Sequence, residues 1–123
     1  MSKIIAVDFD ETIAVQTGLF TIREVPKSVY WLLEYQKLGA NIILWTNRKG
    51  PTLWLAKAWC NSLGLYFTNE NKNSWPISWF VSDKIYADMF IDNLALGSPV
   101  KLFLDKLCFD WDIGGPLGFK LLQ

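Results

Sequence analysis

The decapeptide KIIAVDFDET at residues 3–12 restricts the fold more than any other stretch of the chain. Its apolar part, Ile4-Ile5-Ala6-Val7, is short and rich in β-branched residues, as in a strand buried on both faces of a parallel sheet. Two carboxylates, Asp8 and Asp10, follow at once, and then Thr12. Apolar neighbours cannot solvate a carboxylate. Two acids where such a strand stops therefore call for a partner, and a divalent cation is the usual one. In open α/β sheets, ligands bind at the carboxyl ends of the strands.

The same motif of an apolar run closed by polar residues recurs twice. ANIILW at 40–45 stops at Thr46-Asn47-Arg48, and the run at 89–91 stops at Asp92-Asn93. Helical spacing fills the intervals. Residues 25–38 read as a helix with Pro26 in its first turn and Gly39 at its end. Pro51 opens a second helix, PTLWLAKAWCNSL, which places Leu53, Ala56, Cys60 and Leu63 on one face and stops at Gly64. Ser98-Pro99 reads as the start of a third helix through VKLFLDKL. Between the first strand and the first helix, residues 13–22 read as a hairpin-like flap broken at Thr17-Gly18. Residues 65–68 read as a short strand, and 69–76 as a polar loop. The tail, 108–123, either adds an edge strand or covers a sheet edge. Strand alternating with helix implies an α/β parallel sheet with helices on both faces and right-handed crossovers. Parallel strands share a direction, so Asp8, Thr46 and Asp92 are expected on one edge of the sheet.

Size and composition narrow the chemistry. The 123 residues suit one domain, 1–123. Twelve acids balance twelve bases, which argues against nonspecific nucleic-acid binding, an interaction that is mainly electrostatic. The absence of His removes the usual general base, Ser-His and Cys-His pairs, and most zinc sites. Cys60 and Cys108 fit no metal or redox spacing and read as buried free thiols in a reducing compartment. The N-terminus enters a strand directly, and no apolar run is long enough to span a bilayer, so a cytoplasmic protein without a membrane role is expected. Of the seven Trp, most are expected in the core, with some free for an interface or a stacking surface.

Carboxylates at the ends of strands suit phosphoryl transfer, where the protein's task is positioning and charge stabilisation. Asp8 can serve as a covalent nucleophile. Asp10, two residues on, can act as general acid/base. Two like charges so close would raise one pKa unless a cation such as Mg2+ intervenes. Asp92 is the natural third metal anchor. Thr46 offers a hydroxyl and the backbone N–H groups after it, with Asn47 and Arg48 as further phosphate contacts, and Lys84 offers a point charge. Asp88 precedes the strand that Asp92 follows. Four extended residues span about 13 Å, so Asp88 belongs at the opposite end, as a structural cap.

The motifs resemble those of the haloacid dehalogenase-like hydrolase superfamily. DFDET matches its DxDxT motif, ILWTN its strand ending in Thr or Ser, Lys84 its third-motif Lys, and FIDN its strand ending in an acid. VDFDETI, IILWTNR, AWCNSLGLYF and KIYADMFIDN together resemble a small capless group of magnesium-dependent phosphatases in bacteria and phages. The resemblance implies a three-layer Rossmann-like sheet, Asp8 as nucleophile, Asp10 as acid/base, and Mg2+ held by Asp8, the Asp10 carbonyl and Asp92. Two positions depart from the pattern: Glu11 stands where Gly is common, and Asn93 where a second Asp is common. Glu11 is expected to point away from its neighbours, with its charge weakening phosphate binding. Neither interval between motifs has room for a cap domain. The site should then be open, suiting a phosphorylated macromolecule or a small substrate closed in by a second copy of the chain. The alternatives are a binding or regulatory module that has lost turnover, and a phosphotransferase using the same Asp.

Overall fold

The computed structural model describes residues 3–72 and 86–123. Lys84, Trp75 and Trp79 lie outside the described residues. In chain order the elements are β1 (Ile4–Val7), β2 (Ala14–Gln16), β3 (Ile22–Glu24), α1 (Ser28–Lys37), β4 (Asn41–Leu44), α2 (Gly50–Ser62), β5 (Asn69–Glu70), β6 (Met89–Ile91), β7 (Val100–Phe103), β8 (Lys106–Phe109) and α3 (Trp111–Leu122).

All four residues of β1 are buried, which suits an inner strand with no solvated face. It pairs in parallel with β4 on one side and β6 on the other, and β5 extends the sheet beyond β4, in the order β5-β4-β1-β6. The register aligns Ile5 with Ile42 and Met89, and Val7 with Leu44 and Ile91. These residues share one face and pack with Leu32 and Tyr35 of α1, Ala56 and Cys60 of α2, and Trp111 of α3. The steps β1 to β4 and β4 to β5 run the same way across the sheet. Right-handed crossovers therefore bring α1 and α2 to the same face. A second helical layer, expected from the alternation, is not formed by the described residues. Ile4, Ala6 and Ile43 of the opposite face are nonetheless buried, with Ala87 packed against them.

The flap is present as an antiparallel hairpin of β2 and β3. It extends further than expected and delays α1, which starts at Ser28 and not at residue 25. Val25 N donates to Ile13 O at 2.9 Å and so continues the hairpin. Buried Ser28 Oγ donates to the same carbonyl at 2.7 Å, and Glu24 Oε2 accepts from Val29 N at 3.1 Å, covering a donor of the first helical turn.

Three expectations are corrected. The strand placed at 65–68 is displaced to Asn69–Glu70, because Leu65 is spent as a core residue and pairing with β4 begins only afterwards. The helix expected after Ser98-Pro99 is a β-hairpin of β7 and β8. Its turn, Leu104-Asp105, has two residues at positive φ, 51° and 62°, the geometry of a tight hairpin turn. Leu there carries none of the usual turn chemistry, which is why VKLFLDKL reads as helical. The tail adds no edge strand to the parallel sheet: it completes β8 and forms α3, whose Gly118 lies beside Met89 of the edge strand β6. Asp110 caps that helix by accepting from Asp112 N at 3.0 Å.

Asp88 behaves as a structural cap. Its Oδ2 accepts from Ile4 N at 2.8 Å, at the amino end of β1. No helix among the described residues is long and apolar enough to cross a membrane.

Candidate active site

The strand order brings the carboxyl ends of β4, β1 and β6 side by side. Pairing persists to those ends: Trp45 N donates to Val7 O at 2.8 Å, and Asp8 N to Ile91 O at 3.0 Å. Asp8 therefore sits between Trp45-Thr46 on one neighbour and Asp92 on the other. A cleft of about 330 Å³ opens there, lined by Asp8, Trp45, Thr46, Asn47, Asn71, Asp92 and Leu94. Thr46 is fixed at both ends: its N–H donates to Asn71 Oδ1 at 2.8 Å, and its Oγ1 accepts from Arg48 N at 3.1 Å. Asp92 Oδ1 accepts from Leu94 N at 2.9 Å, which orients the carboxylate after the strand.

Asp8 is the perturbed group of the cleft. Its carboxyl is raised from an ordinary value near 3.8 to about 7, and burial is the largest cause. The charge of Asp92 is the next contributor to that rise, and those of Asp10 and Glu11 add less, while a hydrogen bond from the Phe9 backbone opposes them. A desolvated carboxylate facing a second carboxylate fits a hard cation. Among the described residues no three His, Cys, Asp or Glu side chains converge on a common metal position. The protein donors for an ion would be the Asp8 and Asp92 carboxylates and one backbone carbonyl, a sparse set that suits Mg2+, which keeps several waters. The bridge between Asp10 and Ala14 uses Phe9 O and Glu11 N, so it leaves the Asp10 carbonyl outside that pairing.

The Asp10 side chain is engaged elsewhere. Arg48 grips it with both arms, Nε to Oδ2 at 2.9 Å and Nη2 to Oδ1 at 2.7 Å. Only a tenth of the Arg48 side chain is exposed. Its guanidinium lies 4.8 Å from the centre of the Phe9 ring and also donates to Gln16 of the flap and to the Thr52 carbonyl of α2. Arg48 thus ties the acid loop to the flap and to α2, and its guanidinium does not line the cleft. Sequence reasoning missed this, since nothing local links residues 38 positions apart. Arg48→Met leaves Asp10 without its partner, with an expected loss of about 1–3 kcal/mol in urea denaturation. The loss in Arg48→Met/Asp10→Asn should be less than the sum of the two single changes.

Glu11 adopts φ 59°, a left-handed conformation that glycine takes without strain. Its carboxylate lies 3.8 Å from Lys106 Nζ of the β7–β8 hairpin, so it does point away, while its charge still acts on Asp8. Asn93 faces away from the cleft as well. Its Nδ2 donates to Leu107 O at 3.0 Å, a bond an Asp could not make, and its N–H donates to Thr12 Oγ1 at 3.2 Å. Thr12 is fully buried, and its carbonyl accepts from Trp111 Nε1 at 2.8 Å. The last residue of the first motif is thus a structural staple.

Asp8, Thr46, Asn47 and Asp92 are therefore brought together, Asp10 and Arg48 pair beside them, and Lys84 falls outside the described residues. These features define a small α/β protein with an acidic cleft at the carboxyl ends of its parallel strands. The whole chain aligns with 94% of a solved structure, "Structure of the conserved protein coded by locus from Bacteroides thetaiotaomicron", at 32% identity and a TM-score of 0.77. The chain belongs to the family of that Bacteroides thetaiotaomicron protein. No protein-family model and no curated protein matches it.

Proposed function

We propose that the chain is a Mg2+-dependent phosphomonoester hydrolase of the haloacid dehalogenase-like kind, a cytoplasmic enzyme on a capless, Rossmann-like domain. One observation carries the reading: Asp8, at the end of the central strand, is desolvated and faces Asp92 across a cleft lined also by Thr46 and Asn47. When bound, Mg2+ would keep Asp8 ionised and neutralise phosphoryl oxygens. Asp8 attacks phosphorus in line with the ester oxygen, forming an acyl phosphate as the P–O ester bond breaks. The Thr46 hydroxyl and the Asn47 N–H hold the equatorial oxygens. Asp10 gives the departing alkoxide its proton and takes one back from the water that hydrolyses the acyl phosphate. For this it must first turn away from Arg48.

That requirement supports a second reading, a phosphate-binding module without turnover, in which Arg48 keeps both Asp10 oxygens occupied. Release of inorganic phosphate from an aryl phosphate separates the two. The hydrolase reading expects release that needs Mg2+, stops with chelator, and falls about a hundredfold or more in Asp92→Asn. Binding of phosphate esters with no release under any of these conditions favours the module.

A further inference from the structure

The strand order that exposes the acids also flanks them with two apolar side chains. Trp45 follows β4 and Leu94 follows β6, and β1 lies between, so the two stand on opposite sides of Asp8. Trp45 is 40% exposed and Leu94 is 83% exposed. Neither completes the core, and both line the cleft. The remaining lining is Thr46, the amides Asn47 and Asn71, and the two acids, with no Lys or Arg among the described residues. Among the described residues, a substrate carrying a second anion would meet carboxylates and neutral groups there. At about 330 Å³ the cleft is at the small end for ligand sites and has room for a phosphoryl group and a ring.

We infer that the organic half of the substrate is a planar, uncharged aromatic group, seated between Trp45 and Leu94 with its polar edge toward Asn47 and Asn71. An indole face is the best stacking surface among the side chains for such a group, and stacking tolerates any ring with a π-face. The chemistry is shared by aryl phosphates and nucleoside monophosphates. The inference rests on the proposed phosphomonoester chemistry for its phosphoryl half only.

The test is calorimetric titration of the Asp8→Asn variant, which reads binding without turnover and without the Asp8 charge facing the phosphoryl group, alongside phosphate release by the unmodified chain with Mg2+. Phenyl phosphate and adenosine monophosphate should each bind about tenfold tighter than glycerol phosphate. That ratio should fall to near one in Trp45→Leu and largely survive in Trp45→Phe. The tighter of the two aromatic esters identifies the source of the ring. Equal binding of aromatic and aliphatic esters, no binding of any, or a ratio unchanged by Trp45→Leu overturns the inference. Aromatic preference with no phosphate release by the unmodified chain sinks the hydrolase reading and leaves the aromatic site standing.

Discussion

Near pH 8, metal-free Asp8→Asn should unfold later than the metal-free unmodified chain, by about 2–4 kcal/mol, while phosphate release measured with Mg2+ falls on the order of a thousandfold or more. Both effects come from one carboxyl. In the folded chain Asp8 holds its proton up to about 7, whereas an unfolded carboxyl loses it near 3.8. Between those values the folded state binds more protons, so stability falls as pH rises through the window and levels off above about 7. At about 1.4 kcal/mol per pH unit the full window is worth at most about 4.5 kcal/mol, and partial access to solvent lowers it. Asn is neutral throughout and lacks the slope. Urea denaturation of both proteins from about pH 4 to about pH 8 should show curves that nearly meet at the acid end and diverge toward the alkaline end. Adding Mg2+ should raise the melting temperature of the unmodified chain near pH 8 and leave Asp8→Asn almost unmoved. Curves that stay parallel, or equal Mg2+ stabilisation of both, would remove Asp8 from the centre of the site. The expected gain in stability also separates loss of the nucleophile from simple misfolding, which would lower stability and rate together.

The residues that build this centre were legible because each ends an apolar run. A run with no polar position that is also short and β-branched, such as Ile4-Ile5-Ala6-Val7, reads as an inner strand, and three such runs in order put their ends on one edge. Contacts between distant side chains carry no such mark. Arg48 reads as one more polar residue after a strand, yet its guanidinium belongs to Asp10 and the flap. Asn93 reads as a missing acid, yet the amide is used as a donor to Leu107. At 104–105 the hairpin turn was hidden because Leu and Asp occupy conformations usually reserved for Gly and Asn. Glu11 is the converse case. The expectation of Gly at that place is explained by its positive φ, so the substitution carries backbone strain as well as charge.

Gly115→Ala should cost about 2–3 kcal/mol and lower the melting temperature by about 10 °C. The tail is rich in Gly and aromatics, and the structure gives that composition a reason. α3 presents Gly114, Gly115 and Gly118 as a flat, buried stripe. A Cβ at Gly115 would fall closer than 3.0 Å to Trp31 Cδ1, Nε1 and Cγ, and one at Gly118 would meet the Tyr35 hydroxyl equally closely. Rings from α1 thus occupy the space that side chains on α3 would fill, and Tyr35 Oη donates to the Gly115 carbonyl at 2.8 Å to hold the two helices together. Ala gains about 1 kcal/mol in helix propensity over Gly, so the steric term must exceed that for the sign to hold. It does, because the obstacle is a rigid indole packed against Tyr35 and Phe119, not the free end of a flexible chain. Gly18→Ala is the control: its nearest neighbour, Thr21 Oγ1, would lie 3.4 Å away, and stability should change by less than about 0.5 kcal/mol. Trp31→Leu frees the space, so Gly115→Ala introduced on that background should cost about 1–2 kcal/mol less than on the unmodified chain. Thermal denaturation of the four proteins reads the cycle. A Gly115→Ala protein as stable as the Gly18→Ala control would mean that the two helices do not approach through this stripe.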